Sequence, residues 1–211
     1  GTPLEILIHP APKVAGAPAD RSQAAHTTKA AVSYGWDWHP RLIPLGLAGE
    51  IGFVVRPAVH IRHVDFRYEL ADDFSHAQIH VAVETTEPCG FRWRLRDSAG
   101  GVVLERDAPD GMLPRPQLWW THDHGQPALY RLEVALDAPG GDTVRRQVGF
   151  RRVRLVPHEG AWEYPADFPK SRSHPPITLE LNGRRLFARG SNWVNPDIFP
   201  GRITAATYRP L

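Results

Sequence analysis

Leu129-Tyr130-Arg131-Leu132-Glu133-Val134-Ala135-Leu136 alternates without a break, with Tyr130, Leu132, Val134 and Leu136 on one face and Leu129, Arg131, Glu133 and Ala135 on the other. Successive side chains of a strand point to opposite faces, so this period of two predicts a β-strand rather than a helix. Pro139-Gly140-Gly141-Asp142 then ends the run with turn-forming residues. Working outward, the same period recurs upstream in Val59-Ile61 with Val64-Phe66-Tyr68, in Ile79-Val81-Val83, in Phe91-Trp93-Leu95 and in Val102-Leu104. Downstream it returns in Val148-Phe150, running on to Val153-Leu155. Ala71-Asp72-Asp73, Glu87-Pro88, residues 97–101 and Pro109-Asp110-Gly111 read as the breakers between these runs. About seven antiparallel strands in about 100 residues predict an immunoglobulin-like β-sandwich over 59–156. With Cys89 the only cysteine, no disulfide can bridge the sheets, and the core is expected to rest on Trp93, Trp119, Trp120 and aliphatic packing.

The flanks read differently. Leu4-Glu5-Ile6-Leu7-Ile8 is a short apolar run stopped by His9-Pro10, and a second strand is expected at 49–55, where Ile51, Phe53 and Val55 share a face before Pro57. Residues 11–31 hold no lasting period and predict a loop or short helix, and 157–176, rich in Pro, Ser, Glu and Trp, predict a linker. Ile177-Thr178-Leu179-Glu180-Leu181 and Arg184-Arg185-Leu186-Phe187-Ala188 flank Asn182-Gly183, the dipeptide of a type I′ hairpin turn. A helix start is expected at Thr204. A hydrophobic strand needs a neighbour to pair with, so the chain is expected to begin and end inside domains.

Composition bounds the function. The 211 residues are 42% hydrophobic and 9% aromatic, which excludes a disordered chain. A formal charge of +2 with no basic tract gives no footprint for nucleic acid or for an anionic membrane surface. No apolar stretch approaches the ~18 residues of a spanning helix. The 21 Pro and 18 Gly fit many short strands joined by turns. The compartment is left open.

Eleven His invite a search for metal ligands, above all at His122-Asp123-His124 and at His60 with His63. Two His at i, i+2 share a strand face but lack a third ligand and an ordering shell. Cys89, in a turn between Pro88 and Gly90, has no helix N-terminus to activate its thiol, and neither a G-x-S-x-G elbow nor a phosphate-binding glycine loop occurs. Sugars call for a different set of groups: indole platforms for apolar ring faces, with carboxylates and amides for the hydroxyls around them. Trp36-Asp37-Trp38 offers that set on one loop, and Gly190-Ser191-Asn192-Trp193-Val194-Asn195-Pro196-Asp197 offers a second. Each alone can also be read as core indoles beside a turn-capping residue.

Together and in order these segments carry a resemblance. Residues 29–41, Lys-Ala-Ala-Val-Ser-Tyr-Gly-Trp-Asp-Trp-His-Pro-Arg, resemble the K-A-x-x-S-Y-G-W-D-W-G-P-R stretch in the sugar-binding domain of β-mannosidases of glycoside hydrolase family 2. Leu118-Trp119-Trp120 with Gly125-Gln126-Pro127-Ala128-Leu129-Tyr130 is similar to the L-W-W-P-N-G-x-G-x-Q-P-L-Y run of the family's immunoglobulin-like domain, and Val148-Gly149-Phe150-Arg151-Arg152-Val153 to its closing G-F-R strand. Residues 182–199, with Phe187-Ala188-Arg189-Gly190-Ser191-Asn192-Trp193, resemble the N-G-x-x-I-F-A-R-G-x-N-W-I-P-x-D-x-F segment that opens the catalytic barrel. His39 departs from the family's usual Gly, 121–124 replace its Pro-Asn-Gly loop, Asn195-Pro196 replace Pro-Ala, and the linker at 159–175 is longer.

The resemblance implies an all-β chain: the end of a jelly-roll sugar-binding domain at 1–58, the immunoglobulin-like β-sandwich at 59–156, a linker at 157–176, and at 177–211 a hairpin with the first strand of a (β/α)8 barrel. It implies a retaining exo-glycosidase acting on terminal β-mannose of oligosaccharides, with no metal or organic cofactor. Such an enzyme needs two carboxyl groups about 5–5.5 Å apart. In the family both are Glu on later barrel strands, one within an Asn-Glu pair that this chain lacks, so the pair is expected beyond Leu211. The implied substrate-binding residues are Asp37, Trp36, Trp38, Asn192, Trp193 and Asp197, and the implied partners are a β-mannoside and the catalytic barrel of the same enzyme. A stand-alone carbohydrate-binding module and a β-galactosidase or β-glucuronidase of the same family are the alternatives.

Overall fold

The computed structural model describes residues 3–10, 21–26, 29–47, 49–160 and 177–210. Residues 11–20 of the expected loop and 161–176 of the expected linker lie outside these. The chain divides into two compact units, residues 54–190 and residues 1–53 with 191–211.

Unit 54–190 carries every strand among the described residues. Strands β1 (Ile61–Leu70), β2 (His76–Thr85) and β5 (Asp110–Pro114) form one antiparallel sheet in the order β1-β2-β5. Strands β3 (Phe91–Arg96), β4 (Val102–Arg106), β6 (Tyr130–Leu136) and β7 (Thr143–Val148) form the other, in the order β4-β3-β6-β7. Ile61, Val64, Ile79 and Val81 meet Trp93, Leu95, Leu132, Val134 and Phe150 in one buried core, as expected of an immunoglobulin-like sandwich. Ile61 and Val64 are three residues apart yet both buried, because a bulge between Ile61 and His63 resets the alternation. Trp93 on β3 donates from Nε1 to the Ala108 carbonyl at 2.7 Å, so its polar atom is satisfied at the core's edge. Tyr130, at the start of β6, accepts the Gln117 N–H on its hydroxyl at 2.8 Å and pins the long β5–β6 crossing to the sheet, as tyrosine corners do.

Several expectations are corrected. Pro109-Asp110-Gly111 is not a breaker but leads into β5, since Gly111 is there for close approach: a Cβ on it would lie 2.8 Å from Cη2 of Trp93. The strand expected at Val148-Phe150 lies earlier, at β7, an edge strand whose core-packed face, Val144 and Val148, is interrupted by Arg146 and so shows no apolar run. Trp119 and Trp120 are half-buried under Arg151 and Arg184, at 4.6 and 5.3 Å, and it is Phe150, with Tyr68 and Tyr130 against its ring, that joins Trp93 in the core. Cys89 sits in a crossing between sheets, not in a hairpin, because β2 and β3 belong to different sheets.

Val153-Leu155 also leaves the sandwich. Strand β8 (Val153–Pro157) pairs with β9 (Ile177–Leu181), which forms a hairpin with β10 (Arg184–Leu186). At its turn Asn182 and Gly183 both take positive φ, 49° and 79°, the type I′ geometry the dipeptide predicts.

Among its described residues, unit 1–53 with 191–211 holds short elements: 3₁₀ turns at Arg21–His26, Ala31–Tyr34 and Pro200–Arg202, and a four-residue helix, α1 (Ala205–Tyr208), beginning after Thr204 as expected. The strands expected at 4–8 and 49–55 do not form, and 187–199 are irregular, with bends at Pro196 and Ile198. Leu4, Leu7, Ile51, Phe53 and Val55 are exposed. A strand exists only by pairing, and no neighbour is hydrogen-bonded to these segments among the described residues. No helix among the described residues is long and apolar enough to cross a membrane.

Candidate functional site

The site grows from the 3₁₀ turn Ala31–Tyr34, which ends at Gly35 with φ 117°, a backbone geometry that glycine alone takes without strain. The chain then reverses over Trp36-Asp37-Trp38-His39. Trp36 N donates to the His39 carbonyl at 2.9 Å and His39 N to the Trp36 carbonyl at 3.2 Å, leaving Asp37 and Trp38 at the tip. Leu42 N returns to the Ser33 carbonyl at 3.1 Å, and Arg41 lies over the buried Tyr34 ring at 5.3 Å while its Nη2 donates to Gln23 Oε1. A carboxylate and an indole are thus held out on a braced turn.

Beside this turn lies a cleft of about 500 Å³ within the same unit, lined by Ser33, Trp38, His39 and Pro44 and by Trp193, Val194, Asn195, Pro196 and Asp197. Trp38 and Trp193 are 52% and 57% exposed, so two indole faces stand open on one cavity. Trp193 is steadied by Tyr208, ring centroids 6.0 Å apart. Asp197 closes the turn into the Pro200–Arg202 helix: Oδ1 accepts from Phe199 N at 2.8 Å and Oδ2 lies 3.7 Å from Arg202 Nε.

Of the six residues singled out from sequence, Trp38, Trp193 and Asp197 line this cleft. Trp36, Asp37 and Asn192 do not; all three are exposed. The Asp37 carboxylate takes no hydrogen bond from a described residue, and in particular it does not cap its own turn. His39, Ser33 and Asn195 line the cleft without having been singled out for binding; the signal for His39 was its departure from glycine.

Two of the residues considered as metal ligands have structural partners instead. Asp123 pairs with Arg189 at 2.6 Å, and His60 Nδ1 lies 2.9 Å from the Pro57 carbonyl. No three His, Cys, Asp or Glu side chains among the described residues converge as a metal would need.

Known proteins resemble this chain over most of its length. Residues 59–151, most of the sandwich, match the model of glycosyl hydrolases family 2. Beta-mannosidase B of Aspergillus clavatus is 28% identical over 195 residues, which is 86% of this chain and 22% of that protein. Beta-mannosidase B of Emericella nidulans is 26% identical over 215 residues, 95% of this chain and 24% of that one. A solved β-glucuronidase from Ruminococcus gnavus is similar at 22% identity and a TM-score of 0.47, covering 64% of this chain and 20% of that one. The chain therefore spans between a fifth and a quarter of the curated relatives it matches. The sandwich is thus similar to the model of glycosyl hydrolases family 2, and similarity to β-mannosidases runs along both units of the chain.

Proposed function

We propose that this chain is the non-catalytic, sugar-positioning section of a retaining exo-β-mannosidase that removes terminal β-D-mannose from oligosaccharides. The observation that carries the reading is the cleft that gathers Trp38, Trp193, Asn195 and Asp197, two open indoles with an amide and a carboxylate. A pyranose has apolar faces for the indoles and hydroxyls for the polar atoms. Similarity to two β-mannosidases directs the choice of sugar. Asp37 takes glycone hydroxyls, since its carboxylate has no hydrogen-bond partner among the described residues and can accept two charge-assisted hydrogen bonds. Trp36 shapes the same turn, and Asn192 lies one residue before Trp193. The sandwich holds these segments toward a catalytic barrel that supplies the acid/base and nucleophile carboxyls.

The test uses the full-length enzyme that contains this chain. It should hydrolyse p-nitrophenyl β-D-mannoside in preference to the β-D-galactoside and β-D-glucuronide, whereas the 211-residue chain alone should not exceed a buffer blank. Asp37→Asn and Asp37→Ala should lower kcat/KM on the mannoside at least tenfold, a loss of ~1.4 kcal/mol, with little change in Tm. A lowered Tm with near-normal kcat/KM would make Asp37 structural, and preference for another glycoside would move the whole reading.

A further inference from the structure

The cleft contains a buried polar group, His39, that departs from the family pattern. His39 is only 7% exposed, yet it lines the cavity beside Trp38. Its Nδ1 lies 2.6 Å from the Pro40 carbonyl oxygen, and because a carbonyl can only accept, the ring proton sits on Nδ1. In the neutral ring Nε2 is then a bare acceptor. No described residue donates to it. The ring is also fixed in direction, because Trp38 stands edge-on to it with centroids 6.0 Å apart and planes at 78°, and both backbone bonds of the turn end on His39. His39 thus offers the cleft an acceptor that is held in direction, reaches solvent and is unpaired among the described residues, a place for a donor from whatever fills the cleft.

We propose that His39 is a substrate-contacting, specificity-determining residue: Nε2 accepts a hydrogen bond from one hydroxyl of the glycone whose face rests on Trp38. This rests on the reading of the cleft as a carbohydrate site, and it narrows the class of sugar. The cleft's lining holds Asp197 and the His39 acceptor but no Lys or Arg. A uronic acid would bring a carboxylate to two acceptors, one of which, Asp197, already engages the neighbouring cation Arg202 at 3.7 Å, whereas a neutral pyranose brings hydroxyl donors that suit both. The site therefore selects neutral hexosides over hexuronides.

Two variants separate contact from packing. In the full-length enzyme, His39→Phe keeps an aromatic ring against Trp38 and removes the acceptor, while His39→Gln keeps a side-chain acceptor. His39→Phe should lower kcat/KM on p-nitrophenyl β-D-mannoside about tenfold with Tm within a few degrees of wild type, and His39→Gln should stay within about threefold of wild type. A set of monodeoxy β-mannosides locates the partner. Wild type should lose about tenfold on one of them, and His39→Phe should lose nothing further on that one, the mark of a direct pair. Full activity of His39→Phe, equal additional losses on every deoxy sugar, or a large fall in Tm for both variants would overturn the contact while leaving the cleft a sugar site. If neither variant folds, the wild-type deoxy series still decides, since a series with no tenfold loss leaves Nε2 without a hydroxyl partner. Preference of wild type for a β-glucuronide would overturn the neutral-sugar selection, and absence of turnover on every glycoside would overturn the sugar-site reading itself.

Discussion

Glu133 lies on the outer face of the four-stranded sheet, in register with Arg94 on β3 and Arg145 on β7 and diagonal to Arg96. The three guanidinium groups approach it at 2.6, 3.1 and 3.2 Å and leave the residue buried on a face that strand alternation would send to solvent. The hydrogen bond from Arg94, opposed by burial and reinforced by Arg96 and Arg145, pushes its carboxyl down to about 2. Because the folded value lies below the unfolded one, the stabilisation is fully present above about pH 4.5 and is lost as pH falls through about 2. Its size is at most about 3 kcal/mol, reduced by solvent screening because Arg94 and Arg145 are partly exposed. Glu133→Gln should lower stability at pH 7 by about 1–3 kcal/mol, since three cations lose their anion, and should flatten the acid limb between pH 5 and 2. Urea unfolding across that range measures both, and an unchanged acid limb would show that other carboxylates govern it. At this same scale the sequence marked His39 only as a departure from glycine and was mute about the Glu133 cluster, because local pattern shows which face a residue takes but not which distant side chains meet it there.

At the scale of elements, the strands with strict alternation were legible: β1, β2, β3, β4 and β6 each fall where a period of two marks them. The two sandwich strands that were missed show why the others were found. On the edge strand β7, Arg146 interrupts the core-packed face of Val144 and Val148, and β5 carries a glycine where Trp93 needs room. Pattern reading takes Pro-Asp-Gly for a turn because it cannot see an indole arriving from another sheet. This gives a sharp expectation. Gly111→Ala places its Cβ within 3 Å of both Cη2 and Cζ2 of Trp93, and since the ring is buried and held by Ala108 it cannot swing aside. Overpacking of this kind costs about 1–3 kcal/mol, readable as a shift in the urea midpoint with an unchanged m-value. An Ala as stable as Gly would mean that β5 can shift away from Trp93. The unformed strands at 4–8 and 49–55 make the complementary point, since their sequences have strand pattern but pairing is a property of neighbours that a local pattern does not contain. Of the candidate site, the two tryptophan segments were legible from their composition, whereas their meeting on one cleft depends on contacts across more than 150 residues of sequence.

At the scale of the molecule, the hairpin sheet β8-β9-β10 raises the question of what keeps it with the sandwich. It presents Val153, Leu155 and Ile177 to solvent, so its own packing is thin. Asn182 supplies the tie. Its N–H donates to the Arg152 carbonyl at 2.8 Å, its Oδ1 accepts the Arg152 N–H at 2.8 Å, and its Nδ2 donates to the Trp119 carbonyl at 3.0 Å, all while the residue holds a φ of 49°. The dipeptide that sequence reading assigns to a hairpin turn is therefore also the joint between two sheets. Residues 54–190 alone should accordingly melt in one transition, with calorimetric and van't Hoff enthalpies equal and near 0.7 kcal/mol per residue at about 60 °C. Asn182→Ala removes both side-chain bonds and meets the left-handed penalty, together about 2–4 kcal/mol. If Asn182 is the joint, amide exchange in that variant should quicken in β9 and β10 far more than in β6, because the hairpin sheet opens while the sandwich keeps its core. Uniform quickening across both would mean that the two sheets form one cooperative body held by more than this residue, and unchanged exchange would place the tie elsewhere.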